Sequence, residues 1–80
     1  MPLVTIPGLP AGWRVLEHRQ SINHPRDAVV LCERIVHRDK DMNFVTWSVN
    51  MIEGGCYCGN YWDSYEKARS DYQTRAVNLR

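Results

Sequence analysis

The 80-residue chain has no marked excess of charge, no long apolar run and none of the sequence signatures of the common catalytic sites. Ten Lys and Arg residues against nine Asp and Glu residues give a net charge of +1, so no strong overall field attracts a polyanion. No stretch approaches the roughly 18 apolar residues that are needed to span a bilayer. A glycine-rich nucleotide loop, a zinc-ligand quartet and a nucleophile–base motif are also missing. We therefore expect a protein that is not an enzyme, binds no cofactor and does not associate with a membrane.

The chain lacks an even set of cysteines, since it has three: Cys32, Cys56 and Cys58. A small secreted scaffold held by disulfides usually has an even number, whereas here at least one thiol stays unpaired. Cys56 and Cys58 lack the spacing of a zinc knuckle, and the three histidines are scattered. We expect reduced thiols that pack in a sheet and bind no metal. A disulfide from Cys32 to one of the other two is the lesser alternative.

The N-terminal segment is interrupted by Pro2, Pro7, Gly8 and Pro10 and has no basic leader. An apolar signal-peptide core has no room to form there, so we expect a cytoplasmic protein. Proline and glycine also disfavour helices and central strands, and residues 1–11 are predicted to form an extended arm. The composition, 44% hydrophobic and 24% charged, is typical of a folded chain, and 80 residues form a single domain.

Alternation of apolar and polar residues predicts four β-strands between residues 12 and 62. The predicted strands cover residues 13–19, 28–37, 43–52 and 56–62. In the first strand, Trp13, Val15 and Glu17 are expected on one face. In the second strand, Glu33 is expected to form a charge pair with a neighbouring strand.

The third and fourth strands are predicted to form a β-hairpin. Gly54-Gly55 favours a two-residue type I′ turn, because glycine readily adopts the positive φ angles of that turn. Glu53 would then pair with Cys56, and Trp47 would face Trp62. A three-residue turn through Glu53 would shift the register by one residue and exchange the faces of the fourth strand. Both registers stay open, and loop-length preferences favour the first.

One face of this hairpin is predicted to be polar. In the favoured register it carries Thr46, Ser48, Asn50, Tyr57 and Tyr61. Because a single helix does not readily cover four strands, we expect this face to stay open for a partner protein, for a second copy or for the N-terminal arm. Tyrosine offers a large contact area at low entropic cost, and the neighbouring hydroxyl and amide groups orient hydrogen bonds. These five residues are the predicted binding site.

A C-terminal helix is predicted over residues 63–79. Asp63 is expected to cap it, with Glu66 at the capping-box spacing. Its apolar stripe comprises Tyr65, Ala68, Tyr72, Ala76 and Leu79. Asp71 and Arg75 have the favourable i,i+4 order and are expected as an exposed pair on the flank. The assembled prediction is an α+β fold of order β-β-β-β-α, an antiparallel four-stranded meander with the helix on one face.

The C-terminal half carries a recognisable set of residues: Phe44-Val45-Thr46-Trp47, Gly55, Tyr57-x-Gly59-x-Tyr61, Ala68, Asp71-Tyr72 and Arg75. In this set the chain resembles small uncharacterised proteins of bacteriophages and mobile elements. Proteins of this size class include anti-CRISPRs and other anti-defence proteins, which act by occupying the surface of a host protein. The resemblance implies an inhibitor or adaptor that binds a host or bacterial protein.

The alternative function is the binding of single-stranded nucleic acid. Four strands followed by one helix is similar to the order in PC4-like and PUR-repeat proteins, which bind strands through the sheet. Exposed aromatic rings beside Arg14, Arg34 or Arg38 would stack on bases. Acidic residues are interspersed among these arginines and the net charge is only +1, so the charge pattern favours the protein-binding hypothesis.

Overall fold

The computed structural model describes residues 6–38 and 42–79, which form four strands and one helix in the order β-β-β-β-α. The elements are β1 (Trp13–Gln20), β2 (Asp27–Arg34), β3 (Phe44–Asn50), β4 (Cys56–Trp62) and α1 (Tyr65–Val77). The strands form one antiparallel sheet in the order β1-β2-β3-β4, and α1 packs on one of its faces. The predicted α+β meander with a C-terminal helix is therefore confirmed. Of the predicted arm, residues 1–5 lie outside the described part of the chain.

The helix begins two residues later than predicted, because Ser64 and not Asp63 is its N-cap. Ser64 has the extended backbone that a cap needs, with φ −138° and ψ 149°, and its Oγ accepts a hydrogen bond from the Lys67 amide. Asp63 lies outside the helix and pairs with the Lys67 ammonium group at 3.2 Å. Serine and aspartate are both good caps, so the sequence favours either residue.

The apolar stripe of α1 faces the sheet as predicted. Ala68, Tyr72 and Ala76 are buried against Val29 and Leu31 of β2. Partly buried side chains surround this core: Leu16, Phe44, Trp62 and Leu79. Because the two alanines have short side chains, the helix backbone approaches the sheet closely. We call the covered side of the sheet the helix face.

The N-terminal arm covers part of the opposite side, which we call the arm face. Ile6 is 6% exposed and packs in a core with residues of β2 and β3, among them Val30, Val45 and Val49. The Gly55 amide donates to the Pro7 carbonyl at 2.9 Å. The arm therefore folds back, but onto the apolar side of β3, whereas we predicted it as one occupant of the polar side. The polar side lies under α1, so the prediction of an open polar face is wrong.

The β3–β4 hairpin adopts neither predicted register. Val49 pairs with Cys56, and the connection between them is longer than two or three residues. The side-chain oxygen of Asn50 accepts hydrogen bonds from the amides of Ile52 and Glu53, and the Asn50 amide donates to the Gly55 carbonyl. Asparagine thus supplies a local turn that the glycine signal alone did not reveal.

A bulge at Cys58 then changes the face of every residue after it in β4. Ser48 pairs with Tyr57 before the bulge, whereas Val45 pairs with Tyr61 after it. Directly opposite residues share a face, so Tyr57 lies on the helix face and Tyr61 lies on the arm face. Cys58 itself has φ 53°, the left-handed conformation that glycine normally adopts at the first position of a G1 bulge.

A second bulge interrupts β1. Val15 pairs with Cys32, but the next registered pair is Glu17 with Leu31, so Leu16 is the extra residue. Leu31 lies in the core under α1, and Glu17 therefore points to the helix face. The expectation that Glu17 shares a face with Trp13 and Val15 is wrong, because the inserted residue reverses the alternation after it.

Candidate binding surface

Three aromatic rings pack together on the arm face. The ring centroids of Trp13 and Trp47 are 5.4 Å apart. The ring centroid of Tyr61 lies 6.0 Å from that of Trp13 and 6.2 Å from that of Trp47. Trp47 is 5% exposed, whereas Tyr61 is 48% exposed. The Trp13–Trp47 and Trp47–Tyr61 contacts are edge-to-face, an arrangement that aromatic pairs prefer, and the Trp13–Tyr61 contact is tilted. Tyr61 is thus held by neighbouring rings on one side and is open to solvent on the other.

Arg34 adds a cation to this cluster. Its guanidinium carbon lies 4.4 Å from the centre of the Trp13 ring, within the range of a cation–π contact. One terminal nitrogen donates to the Met42 carbonyl at 3.2 Å, which holds the side chain across the ring. We call Trp13, Arg34 and Tyr61 the Trp13–Tyr61 patch. Its residue types are those that are enriched in the hot spots of protein interfaces.

Gly59 allows this cluster to pack. A Cβ atom at position 59 would lie 2.4 Å from Trp47 Nε1, so only glycine lets the β4 backbone rest on the indole ring. The sequence pattern alone predicts no role for Gly59 in ring packing. A glycine inside a strand is a signal of close backbone approach, although it does not reveal which ring is approached.

The five predicted binding residues do not lie on one open face. Thr46 is fully buried, and its Oγ1 donates to Asp71 Oδ2. Ser48 accepts a hydrogen bond from Arg75 at 3.1 Å, and Asn50 is used in the hairpin turn. Their polar groups bind partners within the chain, so the grouping of these three residues with two tyrosines on an open face is wrong. Tyr57 and Tyr61 are exposed, on opposite faces, and their role in binding stays a prediction.

Asp71 and Arg75 form a polar network between α1 and the sheet. Asp71 Oδ2 accepts hydrogen bonds from Thr46, Asn60 and Arg75. Arg75 also donates to the Cys58 carbonyl at 2.6 Å. The sequence predicted an exposed pair, but the two side chains are only 21% and 17% exposed. The network binds the bulge of β4 to the helix.

The predicted cross-strand pair of Glu33 is confirmed. Glu33 pairs with Arg14 in the β1–β2 register and accepts two hydrogen bonds from its guanidinium, at 3.0 and 2.5 Å. The other carboxylate oxygen lies 2.7 Å from His37 Nε2. The hydrogen bond from Arg14 is the main reason that the pKa of Glu33 lies below its usual value of 4.5; burial opposes this shift and His37 supports it.

The three cysteines are free thiols in different environments. Cys32 is fully buried, and burial raises the pKa of its thiol to about 12. Burial also raises the pKa of the half-buried Cys56 thiol, whereas Cys58 is exposed. Within residues 6–38 and 42–79, no group of three or more His, Cys, Asp or Glu side chains is arranged to hold a metal ion.

Comparison with protein-family models, with curated proteins and with solved structures finds no match for this chain. In the part of the chain that the structure describes, α1 is the only helix, and it is too short and too polar to cross a bilayer.

Proposed function

We propose that the protein is a non-enzymatic protein-binding module that occupies a partner surface with the Trp13–Tyr61 patch. The observation that supports this proposal is the state of Tyr61, which is 48% exposed while its ring packs against Trp13 and Trp47. A side chain that is already ordered loses little conformational entropy on binding. Arg34, held on the Trp13 ring, supplies a charged donor beside this apolar surface.

The partner that we propose is a host or bacterial protein. The resemblance of the C-terminal half to small phage and mobile-element proteins supports an inhibitor or adaptor of the anti-defence type, which acts by occupying a surface. The free thiols are typical of a reducing compartment, which supports a cytoplasmic partner. Tyr57 lies on the other face of the sheet, so the patch does not include it.

The test begins with capture of partners from a nuclease-treated bacterial lysate, followed by titration of the purified partner. Tyr61→Ala is expected to weaken binding by about 2 kcal/mol or more, the cost of losing an interface hot spot. Tyr57→Ala is the matched control, because Tyr57 is 49% exposed and lies outside the patch. Both variants are checked by circular dichroism. Equal affinities of the wild type and Tyr61→Ala, or loss of every partner after nuclease treatment, would disprove the proposal.

Single-stranded nucleic acid is the second candidate ligand, because an exposed tyrosine beside a tryptophan and an arginine also suits base stacking. Fluorescence anisotropy with labelled single strands at low and moderate salt separates the two functions. Tight binding that weakens steeply with salt and is lost in Tyr61→Ala would favour the nucleic acid. Binding that is absent at low salt would leave the protein partner as the function.

A further inference from the structure

A groove of about 540 Å³ lies between β1 and α1 on the helix face. It is lined by Glu17, Arg19, Tyr72, Gln73, Ala76 and Val77. Tyr72 and Ala76 are each 7% exposed and form the floor, while Val77, which is 78% exposed, stands on the helix rim. The groove exists because α1 packs over β2, β3 and β4 and a single helix does not extend across a four-stranded sheet.

The strand rim of the groove is a consequence of the bulge at Leu16. After the bulge, Glu17 pairs with Leu31 and Arg19 pairs with Val29, and both partners lie in the core under α1. Glu17 and Arg19 therefore stand side by side along the edge of the groove. Glu17 binds Arg69 at 3.1 Å, whereas Arg19 makes no ion pair within residues 6–38 and 42–79.

The outer edge of β1 presents backbone groups that bond to no other residue of the ranges 6–38 and 42–79. The Ser21 amide donates to the Asp27 carbonyl at 2.8 Å, and the Asp27 amide donates to His24. The first of these bonds places Ser21 and Asp27 at a hydrogen-bonded position of the β1–β2 ladder. Hydrogen-bonded and non-hydrogen-bonded pairs alternate in an antiparallel ladder. His18 and Gln20 therefore direct their N–H and C=O groups away from β2, towards the open edge of the sheet.

We propose that this edge pairs with β1 of a second copy of the chain, in an antiparallel arrangement with a two-fold axis at His18. His18 of each copy would then exchange two backbone hydrogen bonds with His18 of the other. One residue away on both sides, Glu17 of each copy lies opposite Arg19 of the other. Opposite charges at directly facing positions stabilise a strand pair. This register therefore brings an anion to Arg19, which makes no ion pair with another described residue of its own chain.

The dimer is a continuous eight-stranded sheet with both helices on one side and both Trp13–Tyr61 patches on the other. The second copy places its Glu17 and Arg19 side chains beside the groove and covers part of the Tyr72–Ala76 floor. Two patches on one side also permit bivalent binding of a partner. This surface is separate from the patch, so Tyr61→Ala leaves dimerisation unchanged.

The other edge of the sheet is less suited to pairing. The bulge at Cys58 breaks the regular spacing of β4, and the Cys58 carbonyl is already bound by Arg75. No charged side chain stands between Cys56 and Trp62 to define a register. In β1, by contrast, charged side chains disfavour most edge-to-edge pairings. The register centred on His18 is an exception, because it places Glu17 of one copy opposite Arg19 of the other.

Sedimentation of the full chain from about 10 µM to about 1 mM tests the dimer, because an interface below about 1,200 Å² is expected to be weak. The wild type is expected to dimerise reversibly in this range. Arg19→Glu and Glu17→Arg are each expected to raise the dimer dissociation constant by about tenfold or more. In either variant both facing pairs at positions 17 and 19 change from opposite charges to like charges. Arg26→Glu, the same charge change at an exposed turn residue, is the control.

The decisive measurement mixes the two impaired variants. A chain with Arg19→Glu and a chain with Glu17→Arg restore opposite charges at both facing positions, so the mixture is expected to form a heterodimer that neither variant matches alone. This outcome also shows that both variants are folded. A wild type that stays monomeric at about 1 mM, a dimer that Arg19→Glu does not weaken, or a mixture that stays monomeric would overturn the proposal.

Discussion

The Asp71 carboxylate and the Arg75 guanidinium lie 3.2 Å apart on successive turns of α1. Each of them also forms a hydrogen bond with a side chain of the sheet. The residues of β3 that bond to this ion pair are Thr46 and Ser48. The polar side of β3 can lie under the helix because the Thr46 hydroxyl bonds to Asp71 and the Ser48 hydroxyl bonds to Arg75.

Removal of the arginine from this pair is predicted to be costly. Arg75→Ala leaves the Asp71 charge without its ion-pair partner and is expected to lower the free energy of unfolding by about 2–3 kcal/mol. Lys67→Ala is the control, because Lys67 and Asp63 have the same i,i+4 spacing but are 62% and 63% exposed; its loss is expected to be below about 0.5 kcal/mol. Urea denaturation measures both, and equal losses would contradict the prediction.

Tyr72 is predicted to be the residue that contributes most to the packing of α1. Its side chain is 7% exposed in the core with Val29 and Leu31, so Tyr72→Ala is expected to cost about 3–5 kcal/mol. Tyr65→Ala on the same helix is the control, because Tyr65 is 40% exposed. Thermal unfolding compares the two variants. A melting temperature that Tyr72→Ala leaves unchanged would mean that this ring does not support the helix.

The order of elements and the helix stripe were predictable from the sequence because they depend on periodicity over many residues. The alternation of β3 and the helical spacing of Ala68, Tyr72 and Ala76 each extend over several residues, so a single atypical residue does not hide the pattern. The bounds of β4, Cys56–Trp62, agree with the prediction. These features depend on the order of apolar and polar residues along the chain, which is read directly from the sequence.

The positions of the site residues were not predictable, because two inserted residues determine them. Leu16 and Cys58 are each an extra residue in a strand, and each reverses the faces of the residues after it. Leu16 carries no bulge signal. Gly59 lies beside Cys58 in the second bulge, but a glycine in a strand does not by itself show that a residue is inserted. The alternation pattern therefore placed Glu17 on the wrong face, and the favoured hairpin register did the same for Tyr61, whereas the three-residue alternative placed Tyr61 on the face that it occupies.

Cys58 is predicted to be a strained position. With φ 53° it adopts a conformation that residues with a Cβ atom rarely take. Cys58→Gly and Cys58→Ala both remove the thiol, but only glycine tolerates this conformation without strain. We expect the glycine variant to be more stable than the alanine variant by about 0.5–1 kcal/mol. Urea denaturation compares them, and a more stable alanine variant would contradict the strain.

The three thiols are predicted to react with iodoacetamide in a fixed order. Cys58 is exposed and is expected to react first. Cys56 is half-buried and its pKa is raised by burial, so it follows slowly. Cys32 is fully buried and its thiol has a pKa of about 12, so it forms almost no thiolate at neutral pH and is expected to react only after unfolding. Mass spectrometry of timed digests measures the order, and early labelling of Cys32 would contradict it.

The Glu33 carboxylate is predicted to stabilise the β1–β2 pair at neutral pH and to lose this effect at acidic pH. Because its folded-state pKa lies below 4.5, mainly through the hydrogen bond from Arg14, its contribution is present above the unfolded-state pKa and is lost as the pH falls through the folded-state value. Glu33→Gln is therefore expected to lower the free energy of unfolding by about 0.5–1 kcal/mol at about pH 7, because the Arg14 side of the pair is exposed.

As the pH falls through the lowered pKa of Glu33, the carboxylate becomes protonated, and at acidic pH the stability gap between the wild type and Glu33→Gln is expected to narrow. Glu53→Gln is the matched control, because Glu53 is an exposed carboxyl group in the β3–β4 turn and its replacement is expected to change stability by less than about 0.5 kcal/mol at either pH. Urea denaturation at the two pH values measures the gap. A gap between the wild type and Glu33→Gln that is as large at the acidic pH as at the neutral one would show that shape, and not charge, makes Glu33 stabilising.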